Sequence, residues 1–202
     1  MTTGIAGLSS EHLKVRQDGG GSAMVAELEH SDAPRVSVRG EPEGGDAAFL
    51  FETVRRGGHE PDGMHRVLAV VPETGIKILE VALSLRNSGS LPRRFRELVI
   101  LRTVQIEGGA HEFSAHRPMA LAHGLSQDQV DSLHRWRGSN AFDEADEALL
   151  DYVDALSSRT PVSAEIYATA IRHFAPADLV LLTMTAGFYT LAARLSNGLN
   201  IP

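Results

Sequence analysis

Cysteine is absent from all 202 residues, and its absence excludes a disulfide framework, a thiolate metal site and a dithiol redox pair. Lysine is nearly as scarce. Lys14 and Lys77 are the only two, so the cations are almost all arginines. Arginine's planar fork grips carboxylates well in a partly dry site, although codon bias leaves the same signature. Blocks of one charge sign are missing too: 26 acidic and 19 basic residues, net -7, are spread along the chain, so neither nucleic acid nor an anionic membrane is an expected partner. The N-terminus lacks the basic-then-apolar pattern of a secretory signal. The longest weakly charged apolar stretch, Leu179 to Leu195, is interrupted by threonines, Gly187 and Arg194. It is read as short of the roughly 20 apolar residues of a spanning helix. A cytoplasmic protein is expected.

What is present has helical spacing. No stretch alternates with period two long enough to predict a strand, so the fold class is all-α, with about eight or nine helices. Residues 1–45 are broken by Gly19, Gly20, Gly21, Pro34, Gly40, Pro42, Gly44 and Gly45 and read as a flexible arm. One helical domain, 46–202, follows. Its expected helices are Asp46–Arg56, Met64–Val70, one opened by Pro72 and running to Arg86, one opened by Pro92, His111–His123, one starting after Ser126, Asp143–Leu156, Ser163–Phe174 and Pro176–Asn197. The helix after Pro92 carries Phe95, Leu98, Val99, Ile100, Leu101, Val104 and Ile106 and is apolar nearly all round, so it belongs in the centre. Ser126 and Gln129 have capping-box spacing, with Leu125 placed to staple onto Val130.

Chemistry-bearing residues cluster in the middle of the chain. Glu112 and His116 are four apart and share a helix face, with His123 on the same stripe seven residues later. Carboxylate beside imidazole is a proton-handling pair; an exposed surface pair has the same spacing. Pro118 lies inside that helix and frees the carbonyl of Ser114. His111 and His116 are five apart and point about 140° from each other, which excludes the metalloprotease pattern. A divalent-metal set of Glu112, His116 and His123 is the remaining metal alternative. Glu97 and Arg102 interrupt the central apolar helix, where a charge must be paired or functional. For Glu97 the bland alternative is a pair with Arg93 or Arg94, and for Arg102 a salt bridge to a neighbouring helix. Tyr189 and Asn197, in the last helix, read as core and cap residues with a possible place at a pocket wall.

Leu91-Pro92-Arg93-Arg94-Phe95-Arg96-Glu97-Leu98-Val99-Ile100-Leu101-Arg102, then Glu112-Phe113-x-x-His116-x-Pro118-x-Ala120 and Gly124-Leu125-Ser126, resemble the carboxymuconolactone decarboxylase family, whose relatives include alkylhydroperoxidase D. The resemblance runs from about Met64 to Pro202. It implies a single-domain alkylhydroperoxidase D-like helical bundle and a homo-oligomer, trimer-based or dimeric. The peroxidase branch has a Cys-x-x-Cys whose two positions fall here on Gly109 and Glu112, so a thiol peroxidase is not expected. The glutamate and histidine of that branch's proton relay match Glu97 and His116.

The resemblance thus implies a cofactor-free, decarboxylase-like carbon-carbon lyase acting on a small unsaturated lactone or enolisable carboxylic acid. Such a substrate delocalises the electrons left by carbon dioxide into its own conjugated carbonyl, so no cofactor sink is required. Glu97, Glu112 and His116 are the expected catalytic residues, and Arg102, His111, His123 and Tyr189 the expected substrate contacts, with no metal. The alternative class is a non-catalytic binding or assembly protein that kept the fold.

Overall fold

The computed structural model describes residues 34–37, 40–87, 91–158 and 160–201. Among them are nine α-helices and no strand: α1 Gly45–Arg56, α2 Gly63–Leu68, α3 Pro72–Asn87, α4 Arg93–Ile106, α5 Ala110–Ala122, α6 Gln127–Ser132, α7 Glu144–Ser157, α8 Ala164–Ala170 and α9 Pro176–Leu199. The all-α expectation holds. Most of the expected arm, 1–45, lies outside the described residues. At its described end the Arg35 N–H donates to the Leu199 carbonyl at 2.8 Å, at the close of α9.

Helix boundaries follow local chemistry. Ser126 accepts from the Gln129 N–H at 3.1 Å while the Gln129 side chain accepts from the Ser126 N–H at 2.9 Å, the expected capping box. Leu125 and Val130 are both buried in one core cluster. Asp143 caps α7, whose first turn holds Glu144, Asp146 and Glu147 against the positive end of the helix. Gly124, at φ 101°, closes α5 in the left-handed region. α8 is shorter than expected: it ends at Ala170, and a turn through Phe174 leads to Ala175, held extended at ψ 153° ahead of Pro176. A residue before proline disfavours the helical region, which fixes that break. α5 runs through Pro118 without interruption.

α4 is the central helix, as its all-round apolar pattern predicts, and packs against α5, α7 and α9. Leu98, Val99, Leu101 and Val104 are fully or almost fully buried. A large core joins α4 to α6, α7 and α9 through Val130, Leu149, Leu150 and Leu182. A smaller core of Leu50, Phe51, Val54, Leu68 and Leu79 unites α1, α2 and α3. There the α2 end and α3 touch so closely that a side chain at Gly75 would meet the Leu68 carbonyl at 2.5 Å.

α9 corrects one expectation. Despite its threonines, Gly187 and Arg194, it spans 24 residues and is, by length and composition alone, long and apolar enough to cross a membrane. In the structure it packs along α3, α4, α5 and α7.

Candidate active site

A cavity of about 380 Å³ borders the smaller core. α5 contributes His111, Glu112, Ala115, His116 and Met119, and α9 contributes Tyr189 and Ala192; α1, α2, α3 and the segment between α1 and α2 form the remaining wall. Four of the sequence-derived candidates therefore share one cavity: Glu112, His116, His111 and Tyr189.

His116 is buried, and its Nδ1 is 2.9 Å from Glu97 Oε2. Glu97 does not line this cavity. It stands behind the imidazole, on α4, 2% exposed, and its other oxygen accepts from Arg93 Nε at 3.1 Å. Burial pushes the Glu97 carboxyl up, but the His116 hydrogen bond and the Arg93 guanidinium outweigh it and hold the group below its ordinary range. Glu97 is therefore an ionised residue that orients His116 and leaves Nε2 as the ring's second nitrogen. Arg93, one of its two expected partners, is the actual one; Arg94 instead pairs with Asp146 at 2.8 Å.

Glu112 is held from the other side. Its Oε1 accepts a hydrogen bond from the Ser196 hydroxyl of α9, and its buried Oε2 has no partner. A buried oxygen without a donor is costly unless something arrives to satisfy it. Gly109, at the N-cap of α5, leaves room for that carboxylate: a Cβ there would stand 2.8 Å from Glu112 Oε2 and 2.8 Å from Ala193 Cβ.

Tyr189 meets the His116 ring edge-on, centroids 4.8 Å apart. Burial pushes its phenol well above the ordinary value, against the pull of the neighbouring Arg86 guanidinium. It is a neutral hydrogen-bond donor at any physiological pH. Arg86 also lines the cavity, lies 3.4 Å from His59 Nε2, and has no carboxylate partner among the described residues.

Two expected substrate contacts are corrected. Arg102 faces away from the cavity and pairs bidentately with Asp154 of α7, at 2.6 and 3.0 Å, while also donating to the Leu133 carbonyl. His123 is the exposed C-cap of α5, off the cavity wall. With it falls the metal alternative: among the described residues no group of three or more acidic or histidine side chains has metal-binding geometry. Asn197, the possible cap, donates to the Glu107 carbonyl at 2.9 Å, where α4 ends.

Sequence reasoning missed Arg86, Ser196, Asp62 and His65. For Ser196 a signal existed: Tyr189, Ala192, Ala193 and Ser196 recur at helical spacing on one face of α9.

Residues 72–155, which hold Glu97, Glu112 and His116, match the carboxymuconolactone decarboxylase family model. A protein of unknown function from Agrobacterium tumefaciens, with a suggested AhpD antioxidant-defence role, shares 27% identity over 63% of this chain and 88% of its own, at a TM-score of 0.60. Residues 72–155 are thus similar to that family, and the fold is AhpD-like. Two more distant structures share the AhpD-like fold. One is an AhpD-core, peroxidase-related protein from Ralstonia eutropha JMP134, at 17% identity, covering 84% and 91% of the two chains, TM-score 0.72. The other is the debrominase Bmp8, at 13% identity, 85% and 93% coverage, TM-score 0.72. No curated protein matches the sequence.

Of the two positions that resemble the peroxidase branch's cysteines, Glu112 lines the cavity and Gly109 packs against its carboxylate. The cavity walls from α1, α2 and α9 fall outside the matched residues.

Proposed function

We propose that the chain is a cofactor-free lyase that removes carbon dioxide from a small unsaturated lactone acid, or from a related enolisable carboxylic acid, and returns a proton to the resulting carbanion. The observation that carries this reading is the His116 imidazole, oriented from behind by buried, ionised Glu97 and presented to a cavity beside the half-satisfied carboxyl of Glu112.

In this mechanism Arg86, rather than Arg102, holds a substrate carboxylate through paired N–H donors. As the carbon–carboxylate bond breaks, its electron pair moves into the conjugated carbonyl. Tyr189, whose oxygen faces the Arg86 guanidinium, donates its O–H to the developing enolate oxygen, a charge that forms only on the way to the transition state. His116 or Glu112 then delivers a proton to carbon. Imidazole gives and takes protons near neutral pH, which suits that step. A small-molecule partner, no cofactor, a homo-oligomer and a cytoplasmic setting belong to the same reading.

The test is carbon dioxide release from a panel of carboxylated unsaturated γ-lactones. Turnover that falls with Arg86→Gln and His116→Gln supports the lyase. Tight binding of the same acids without release of carbon dioxide, unaffected by His116→Gln, would instead support a binding protein.

A further inference from the structure

The cavity has a second carboxylate–imidazole pair, on the wall opposite α5. Asp62 caps α2, and its Oδ1 lies 2.6 Å from Nδ1 of His65. A capping box explains part of this: Asp62 accepts from the His65 N–H at 3.1 Å, and the Asp62 N–H lies 3.3 Å from the same Nδ1. With Nδ1 donating its proton to the carboxylate at 2.6 Å, that nitrogen does not also accept, and Nε2 carries the lone pair. Glutamate or glutamine ordinarily fills that third helical position. Histidine there does something a cap does not need: it places an imidazole on the cavity wall with Nδ1 engaged by a carboxylate and Nε2 without a hydrogen-bond partner among the described residues. His111 of α5, on the facing wall, adds its field to Asp62. The arrangement repeats the logic of Glu97 and His116 on another part of the same cavity's wall.

We propose that His65 is a second acid–base group, and that the cavity shifts a double bond by moving protons between two carbons of one substrate. This rests on the proton-delivering role given above to His116 and Glu112. A lactone that carries hydrogen instead of a carboxylate at its γ carbon cannot generate the carbanion by losing carbon dioxide, so a base must take that hydrogen. His65 Nε2 accepts it as a proton. The C–H electron pair becomes a β,γ double bond, the α,β electrons pass through the lactone carbonyl as a dienolate, and His116 or Glu112 protonates the α carbon. One proton leaves and one arrives, no group departs, and nothing is oxidised or reduced. Asp62 is a positioning residue, holding the ring that accepts the proton.

The experiment uses the full-length protein with two probes: an α,β-unsaturated γ-lactone with an acetate arm and a γ hydrogen, and the same lactone with a γ carboxylate. Double-bond migration of the first is followed in deuterium oxide by NMR, and carbon dioxide release from the second is measured in parallel. His65→Gln keeps a cap-competent side chain and removes the base. It is expected to lower migration by about 10²-fold or more relative to release, and His116→Gln to lower both. Asp62→Asn, still a cap acceptor, is expected to lower kcat for migration with KM unchanged. Equal losses of migration and release in His65→Gln, or wild-type release without any migration, would overturn the inference and leave the lyase standing. Migration without release would overturn the lyase and keep His65. Absence of both reactions would overturn the two together.

Discussion

A carboxylate 2% exposed on a central apolar helix is tolerable at position 97 only because His116 and Arg93 both reach it. That dependence has a pH signature. The unfolded Glu97 carboxyl takes up its proton as pH falls through about its ordinary value, 4.5, while the folded one resists until lower pH. Its contribution to stability is therefore complete above that value and lost as pH falls through the folded pKa. Thermal melts of wild type and Glu97→Gln across the acid range are expected to show a smaller gap at the acid end than at neutral pH; a constant gap would contradict the ionised Glu97. For turnover, His116→Gln and Glu112→Gln are each expected to cost roughly 10² to 10⁴. The double variant is expected to lose far less than the product of the two, because the residues work on one proton. Rates of the three variants on the lyase substrate check this, and independent multiplicative losses would contradict it.

Between elements, the same residue types serve structure. Arg102 ties α4 to α7 through Asp154, which also receives Trp136 and Arg137. Arg102→Ala is expected to destabilise by about 1–3 kcal/mol, since Asp154 keeps Trp136 and Arg137 but loses its bidentate partner, with kcat little changed; calorimetry and a rate separate this from a substrate-binding role. Gly109→Ala is expected to act in the opposite pattern. Its new Cβ presses on Ala193 and Glu112, costing about 1–3 kcal/mol in overpacking and lowering turnover as Glu112 shifts. What was legible beforehand divides along this line. The Ser126–Gln129 capping box and Gly124 were readable because their partners lie within a few residues. Even the Glu112–His116 face was readable, being local helix geometry. For Arg102 the salt bridge to a neighbouring helix holds and the substrate contact does not, a choice that spacing leaves open because the partner is 52 residues away. His123 kept the seven-residue register with His116 but falls on the C-cap, where the helix ends and a turn carries it to solvent. Ser196 reaches Glu112 across 84 residues, and His65 hid inside a cap motif that does not ordinarily use histidine.

At the scale of the molecule, α8 and α9 leave Tyr167, Ile171, Val180, Met184 and Leu191 exposed, each by more than 40%. A second copy of the chain is the proposed cover, since apolar surface of this kind marks association faces. Light scattering at tens of micromolar is expected to give a multiple of 21.8 kDa; a monomer would contradict the homo-oligomer. Leu191 also lines the cavity, so association on this face would bear on the cavity's opening as well as on stability. Above all, the proposed reaction requires this cavity to move a proton to carbon. Its most direct test is the rate of carbon dioxide release from a carboxylated unsaturated γ-lactone, measured for wild type and for His116→Gln at matched melting temperatures. Release by the wild type and a loss of roughly 10²-fold or more in the variant are expected; equal rates in both would rule out His116 as the proton donor.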